Sequence, residues 1–463
     1  DIGYEIKDGR IFHRLLSHRD KQLLIVGGAS NGHQDSIETA DLSVLLTTPS
    51  KDLKTTSASG KDAQDPRQSG STVWPGFRGA GDSHTAARDL PVQCTDDSNV
   101  SWFADLPGYG QSSPVIHSGK VFATSIEGDM QEKLHVVCHS LKSGKAHWTQ
   151  TFDASQTVKS SGYVSKAAPT PAVDADRVYA FFESGDLIAL DHSGSVQWKR
   201  SLTSEYGPFK GNHGVGGSIA QTDDALIVLV DHDGPSYLLS VDKATGKNNW
   251  KVDREPRVSW SSPVVNVREN RTEVIVSSNG RLEAIDAATG NQLWYLDGLE
   301  GNTVPSPAVA DGLVIVGSSD PRSSIAVRLG GSGDVRQTHV SWTSQRASSS
   351  FGSPLVAGES VYYVNRAGVA FCVDLKTGEN RWAFRLPDSC WASPLSAGGW
   401  VYFFCKNGDT VVIKADASEP VKVGESTLTV GGDSRVYGVA AVDGAFVIRN
   451  GGSRLTCVGQ PKQ

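Results

Sequence analysis

Ala284-Ile-Asp-Ala-Ala-Thr-Gly-Asn-Gln-Leu-Trp294 is the unit that the rest of the chain repeats. It returns as Ser240-Val-Asp-Lys-Ala-Thr-Gly-Lys-Asn-Asn-Trp250 and as Cys372-Val-Asp-Leu-Lys-Thr-Gly-Glu-Asn-Arg-Trp382. A looser copy runs from Cys138 to Trp148, and one shortened by a residue ends at Trp198. Each copy reads as a strand, a tight turn and a second strand. Asp bonds the backbone two residues on, and Gly takes positive φ at no steric cost. The Trp then opens the next strand with a large apolar face to bury.

A second motif alternates with the first: Ser-Pro, a run of small and β-branched residues, Gly, then an apolar strand. Its copies are Ser113-Pro114, Thr170-Pro171, Ser262-Pro263, Ser306-Pro307, Ser353-Pro354 and Ser393-Pro394, with degenerate copies at Ser218-Ile219 and Val439-Ala440. Successive copies lie 40 to 57 residues apart. Eight units of this length, each with room for about four short strands, predict an all-β chain folded as an eight-bladed β-propeller of four-stranded blades. The Ser-Pro strand is expected to be innermost, since Pro is tolerated where it opens a strand. Trp102 precedes Pro114 by 12 residues, the usual spacing, yet no first half of a unit lies before it. The eighth unit, conversely, ends near Cys457 before its Trp could occur. The strand around Trp102 is therefore expected to complete the last blade and leave the ring without an open edge.

The 463 residues include 49 Gly and 11 Trp but a single Met, a composition suited to strands and turns. No run of eighteen apolar residues occurs, so no transmembrane segment is expected. The net charge of −7 and the lack of a long basic cluster argue against nucleic acid as partner. None of the six cysteines forms a Cys-x-x-Cys pair, which argues against a zinc ribbon. Cys138, Cys372 and Cys457 share one repeat position with Ala189, Ser240, Ala284 and Ala326, so they are expected to be buried, unpaired thiols. Residues 1–46 stand outside the repeat. Their segments around Leu23-Leu-Ile-Val26 and Ile37-Glu-Thr-Ala-Asp41 faintly resemble a kelch-type half-blade. A hairpin docked on the main body and a partly ordered extension both fit. Residues 47–73 read as a polar linker, and 74–460 as the propeller.

The Asp-x-x-Thr-Gly-x-x-x-Trp copies resemble the tryptophan-docking repeats of quinoprotein (PQQ-dependent) dehydrogenase propellers. They resemble equally the repeats of outer-membrane-assembly propeller lipoproteins. The opening Trp74-Pro-Gly-Phe-Arg78-Gly-Ala-Gly is similar to the start of a broad group of secreted bacterial PQQ-like propellers. The resemblance covers residues 74–460 and implies the fold, with a periplasmic or secreted location. Its enzyme branch implies pyrroloquinoline quinone held between a Trp and two adjacent disulfide-linked cysteines, with Ca²⁺ and a catalytic Asp. This chain has no Cys-Cys pair, and its closest approach to a calcium loop is Asp231-His-Asp233-Gly234, which also reads as a polar turn. PQQ and calcium thus remain the alternative to a chain without cofactor.

Other catalytic patterns are weak. His135 and His139 are an even number apart and share a strand face, expected to be solvated. No Gly-x-Ser-x-Gly elbow or Walker loop is present, and no catalytic residue can be named. Ligands of propellers bind at the mouth of the channel, among the loops from each Trp to the next Ser-Pro. Two of these loops, Trp148 to Pro171 and Trp198 to Ile219, are long, at 23 and 21 residues. They contribute Tyr163, Lys166 and His213, along with Tyr206 and Phe209, and extra length in one sector points to function or to a covered blade junction. Two residues before each Ser-equivalent lie Gln111, Ala168, Gly216, Trp260, Val304, Phe351, Trp391 and Tyr437. Trp260, Phe351, Trp391 and Tyr437 are candidates for stacking surfaces around the rim, opposed by Tyr163, Lys166 and His213; inter-blade packing is the plainer role. Three functions stay open: a monomeric, exported, non-catalytic scaffold for a protein, peptide or glycan; a divergent quinoprotein dehydrogenase; or a structural cell-surface component tethered by residues 1–73.

Overall fold

The computed structural model describes strands within residues 14–41, then residues 72–159, 162, 164–268, 270–430 and 435–462. Two compact units are present, Asp1–Ala63 and Gln64–Gln463. In the first, Arg14–His18, Gln22–Val26 and Ile37–Asp41 form an antiparallel three-stranded sheet, with Leu24 opposite both Leu16 and Thr39. The stretch expected to be a linker lies almost wholly outside the described residues.

The second unit holds eight sheets arranged as blades of a propeller. Blade one shows the common order from channel to rim: Val115–His117, Lys120–Glu127, Lys133–Ser140 and Ala146–Asp153. Middle strands pack against neighbouring blades on both faces, so they read as continuous apolar runs. Ala225–Val230 of blade three, Ala-Leu-Ile-Val-Leu-Val, is buried at every position. Outer strands pack on one face and alternate instead. The same logic corrects one expectation: His135 and His139, on a third strand, are buried and not solvated. His135 Nδ1 lies 3.0 Å from Thr151 Oγ1, and His139 Nδ1 lies 2.8 Å from the Gly144 carbonyl.

The repeated turn works as its composition implies. Asp286 accepts from the backbone N–H of Ala288 (3.0 Å) and Thr289 (2.9 Å), and Gly290 holds φ +76°. Asp242 and Asp374 build the same turn. Its second purpose is to receive the tryptophan of the preceding blade. Trp250 Nε1 donates to the Ala287 carbonyl at 2.9 Å, and a β-carbon on Gly290 would lie 2.9 Å from the Trp250 indole. Trp102, Trp148, Trp198 and Trp342 dock in the same way on the turns at Gly144, Gly194, Gly246 and Gly378. Trp382 donates to Ala417. Blade five departs from the pattern. Its turn is replaced by a longer excursion whose Gly333–Asp334 adds a fifth strand to blade four, beside Trp294 and Tyr295. Trp294 is consequently fully buried, and its Nε1 lacks a partner.

Around the channel the Ser-Pro hydroxyls form a belt. The N–H of Ser113, Thr170, Ser218, Ser262, Ser306 and Ser353 each donates to the hydroxyl oxygen of the next blade's equivalent, at 2.8 to 3.0 Å. In blade eight the place of the hydroxyl is taken by Gly438, where a β-carbon would run into Ser113. The strand pairings Cys457–Val447–Ala440 and Cys138–Phe122–Val115 show that Ala440 matches the residue after Pro114. The eighth Ser-Pro equivalent is therefore Gly438-Val439, one residue earlier than the period predicts. A bulge at Tyr437, between Val436 and Gly438, supplies the extra residue.

The ring closes as expected. Val100–Asp105 pairs antiparallel with Arg454–Gly459, placing Trp102 opposite Cys457. The segment before it forms a strap across one mouth of the channel. Trp74 exchanges backbone bonds with Ile116 of blade one, and Pro75 accepts from Val173 of blade two. Arg78, fully enclosed, donates to the carbonyls of Pro307 (2.9 Å) and Pro354 (3.3 Å) in blades five and six. Burial pulls its pKa down to about 10. His84–Thr85 then runs parallel to Ser396–Ala397 of blade seven. Blade seven has Gly424 where other blades carry Trp, and the Val92 carbonyl fills that slot.

Candidate functional site

The Ser-Pro ends of the innermost strands and the long loops share one mouth of the channel, opposite the strap. Three of the four predicted rim aromatics meet there. Phe351 and Trp391 stack with centroids 4.9 Å apart and planes 19° from parallel. Tyr437 meets Trp391 edge-on at 5.8 Å. The bulge turns Tyr437 toward Tyr109, their hydroxyl oxygens 2.5 Å apart and their rings edge-to-face at 6.3 Å. Lys166 Nζ lies 5.1 Å from the Tyr109 ring, and the Arg435 guanidinium 4.8 Å from that of Trp391. A continuous aromatic run thus crosses blades six, seven, eight and one, with Lys166 at its Tyr109 end and Arg435 over Trp391 within it. Phe351, Trp391 and Tyr109 are half-buried, whereas Tyr437 is nearly enclosed.

Trp260 stands apart from this run. Its Nε1 donates to the Gly214 carbonyl at 3.1 Å, and its ring lies 5.9 Å from exposed His213. Gly216 is small because a β-carbon there would enter the Trp260 indole. The predicted half-ring is thus two groups: among the described residues no ring contact joins Trp260 to Phe351. Tyr163 lies outside the described residues. Two further loop aromatics are packing groups. Phe209 is buried beside His232, and Tyr206, at the end of the short helix Leu202–Tyr206, packs on Tyr237.

Several groups here had no repeat to reveal them. Tyr109 and Arg435 occur in unrepeated loop sequence. Glu183, following the second strand of blade two, accepts from the N–H of Ala167 (3.1 Å) and Ala168 (2.8 Å), fixing the loop that carries Lys166. Burial pushes its pKa up to about 6. Arg449, fully buried, donates to the carbonyls of Gly110 (3.0 Å) and Thr124 (3.2 Å), joining blade eight to blade one beneath the two tyrosines. Desolvation pulls its pKa down to about 9.

The residues do not fit a quinone–calcium centre. Asp231 is held by Arg254 (3.2 Å) and by the Ser278 hydroxyl, so its oxygens are already engaged. His232 Nδ1 accepts from the N–H of Lys210 (3.1 Å) and Gly234 (2.9 Å). Asp231-His-Asp-Gly is a turn stitched to its surroundings. All six cysteines are buried and free. Cys390 and Cys405 bring their sulfurs to 3.8 Å but stand fifteen residues apart, not adjacent. Among the described residues no cluster of three or more His, Cys, Asp or Glu forms.

A family model described as "Outer membrane protein assembly factor BamB" matches residues 69–208 and 207–422. The chain belongs to this family. BamB of Shewanella oneidensis is 26% identical over 223 residues, covering 46% of this chain and 55% of that protein. The chain thus spans about half the length of the curated relative it matches. Among solved structures, BamB from Moraxella catarrhalis superposes with a TM-score of 0.56 at 15% identity, covering 77% of this chain and 96% of its own. Quinohemoprotein alcohol dehydrogenase from Comamonas testosteroni gives 0.56 at 13% identity, covering 85% and 81%. Saccharomyces cerevisiae Sqt1 gives 0.55 at 14%, covering 80% and 99%. These structural likenesses show the fold alone.

Proposed function

We propose that this chain is a non-catalytic binding propeller of the cell envelope, monomeric and periplasmic or secreted, which engages a protein partner through its Ser-Pro face. The observation that carries the reading is the run of half-buried Phe351, Trp391 and Tyr109 joined through the nearly enclosed Tyr437. Rigid aromatic side chains with flanking cations are typical anchors of protein interfaces. The kinship with a family named for outer membrane protein assembly supports a protein over a glycan, and it supports the location. A dehydrogenase would need a cofactor cradle that Asp231 and the dispersed cysteines do not supply.

A photo-crosslinking residue replacing Phe351 tests this in the native host. It should capture a discrete envelope protein, and Trp391→Ala should reduce the yield at least tenfold. The same probe at Val196, exposed on an outer strand, should capture none. Equal capture from both positions would sink the assignment. Retention on a glycan array that is lost with Trp391→Ala would transfer the face to sugars.

A further inference from the structure

The other mouth of the channel contains a cavity of 410 Å³ between the strap and the innermost strands of blades two to five. Its walls are mainly aliphatic, with Val173, Val264, Val265 and Val309 facing Pro75 and Phe77 of the strap. Phe77 and Val265 are half-buried, and Val267 at the edge is 41% exposed. A volume of this size and lining suits a small ligand or an inserted side chain.

Two polar side chains on the lining are incompletely satisfied. Gln221 Nε2 donates to the carbonyls of Pro75 (3.2 Å) and Val173 (3.1 Å), which fixes the amide's orientation. Its Oε1 is buried with no hydrogen-bond partner. Asn266, on the adjacent innermost strand and 6% exposed, has its Nδ2 buried and equally unpartnered. A buried donor and a buried acceptor left open are each costly, so a native site that keeps both calls for a partner. The lysine and arginine of the lining are already engaged: Lys243 pairs with Asp174 at 3.2 Å, and Arg78 donates to the Pro307 and Pro354 carbonyls. Phe77 and the His117 imidazole are the aromatic rings on a lining that is otherwise mainly aliphatic, a narrow platform for stacking a sugar.

We propose that this cavity binds an apolar peptide segment. One aliphatic side chain fills the walls. The backbone amide beside it donates its N–H to Gln221 Oε1 and accepts from Asn266 Nδ2. The stretch preceding Val73 has one large aliphatic residue between 47 and 72, Leu53, so it does not offer the apolar segment the walls call for. This site is separate from the aromatic run at the opposite mouth, and it stands or falls independently of the function proposed above.

The test uses the full chain and the capped tripeptide acetyl-Leu-Leu-Leu-amide, followed by saturation-transfer NMR and thermal shift. Saturable binding is expected. Asn266→Leu removes the open donor at similar volume, so it should leave the melting temperature equal or higher while weakening the peptide about five- to tenfold. Val265→Trp, which fills the cavity from its half-buried edge, should abolish binding. The rim variant Phe351→Ala/Trp391→Ala should bind the peptide normally. No saturable binding would overturn the proposal. So would equal binding by acetyl-Glu-Glu-Glu-amide or maltose, or undiminished binding by both cavity variants.

Discussion

Gly290 and Gly312 hold nearly the same backbone angle, φ +76° and +74°, in very different surroundings. A β-carbon on Gly312 would meet nothing within 4 Å, whereas one on Gly290 would press on the Trp250 indole at 2.9 Å. Gly312→Ala should therefore show the backbone penalty alone, about 1–2 kcal/mol. Gly290→Ala should cost roughly 3–4 kcal/mol, since overpacking adds to it. Equal shifts in denaturation midpoint would show that the tryptophan does not need the glycine. Glu183 gives a second residue-level prediction. Its folded pKa of about 6 stands above its ordinary 4.5, so protonation favours the fold. The stabilisation is complete below pH 4.5 and is lost as pH rises through about 6. Its size is about 2 kcal/mol. Glu183→Gln should flatten the dependence of melting temperature on pH across that window; an unaltered slope would assign the effect to another group.

At the scale of elements, the hydroxyl belt makes each innermost strand depend on its neighbour. Ser306→Ala would strip the Ser262 N–H of its 2.8 Å acceptor, an expected loss of about 1–3 kcal/mol. Native-state hydrogen exchange should show the Ser262 amide losing protection before its strand partners do, and unchanged protection would refute the belt. The belt also shows what the sequence could and could not reveal. Turn, tryptophan and Ser-Pro strand recur, and recurrence is legible without coordinates; blade number, closure by Trp102 and the buried thiol column all follow from it. A bulge leaves the residue pattern intact while shifting the register, so the period alone places the blade-eight equivalent one residue late and gives Tyr437 the rim position of Val436. The aim of Tyr437 at Tyr109 was invisible for the same reason. His135 and His139 looked solvated because alternation along one strand does not report a neighbouring blade. The opening Trp74-Pro-Gly-Phe-Arg78 of the strap is legible as a motif, but its docking is not, since its partners come from blades one, two, three, five, six, seven and eight.

For the whole molecule, the strap and the closing strand form one continuous seam. A chain lacking residues 1–106 would lose the fourth strand of blade eight, leaving Arg454–Gly459 as an open edge. It should aggregate at concentrations where the full chain remains monodisperse by light scattering. A soluble monomer that still unfolds cooperatively would show that the seam is dispensable. The seam also sets an order of events in time. Asp105 and its partner Arg454 are 349 positions apart. Synthesis at roughly 5–20 residues per second separates their appearance by roughly 20 to 70 seconds. Through that interval Trp102 has no Cys457 to lie against, and the first-made strand of the ring must wait for the last. A ring closed by its first-made and last-made strands therefore carries a sticky edge around Trp102 during synthesis, and its yield in the cell depends on whatever shields that strand until Arg454–Gly459 is made.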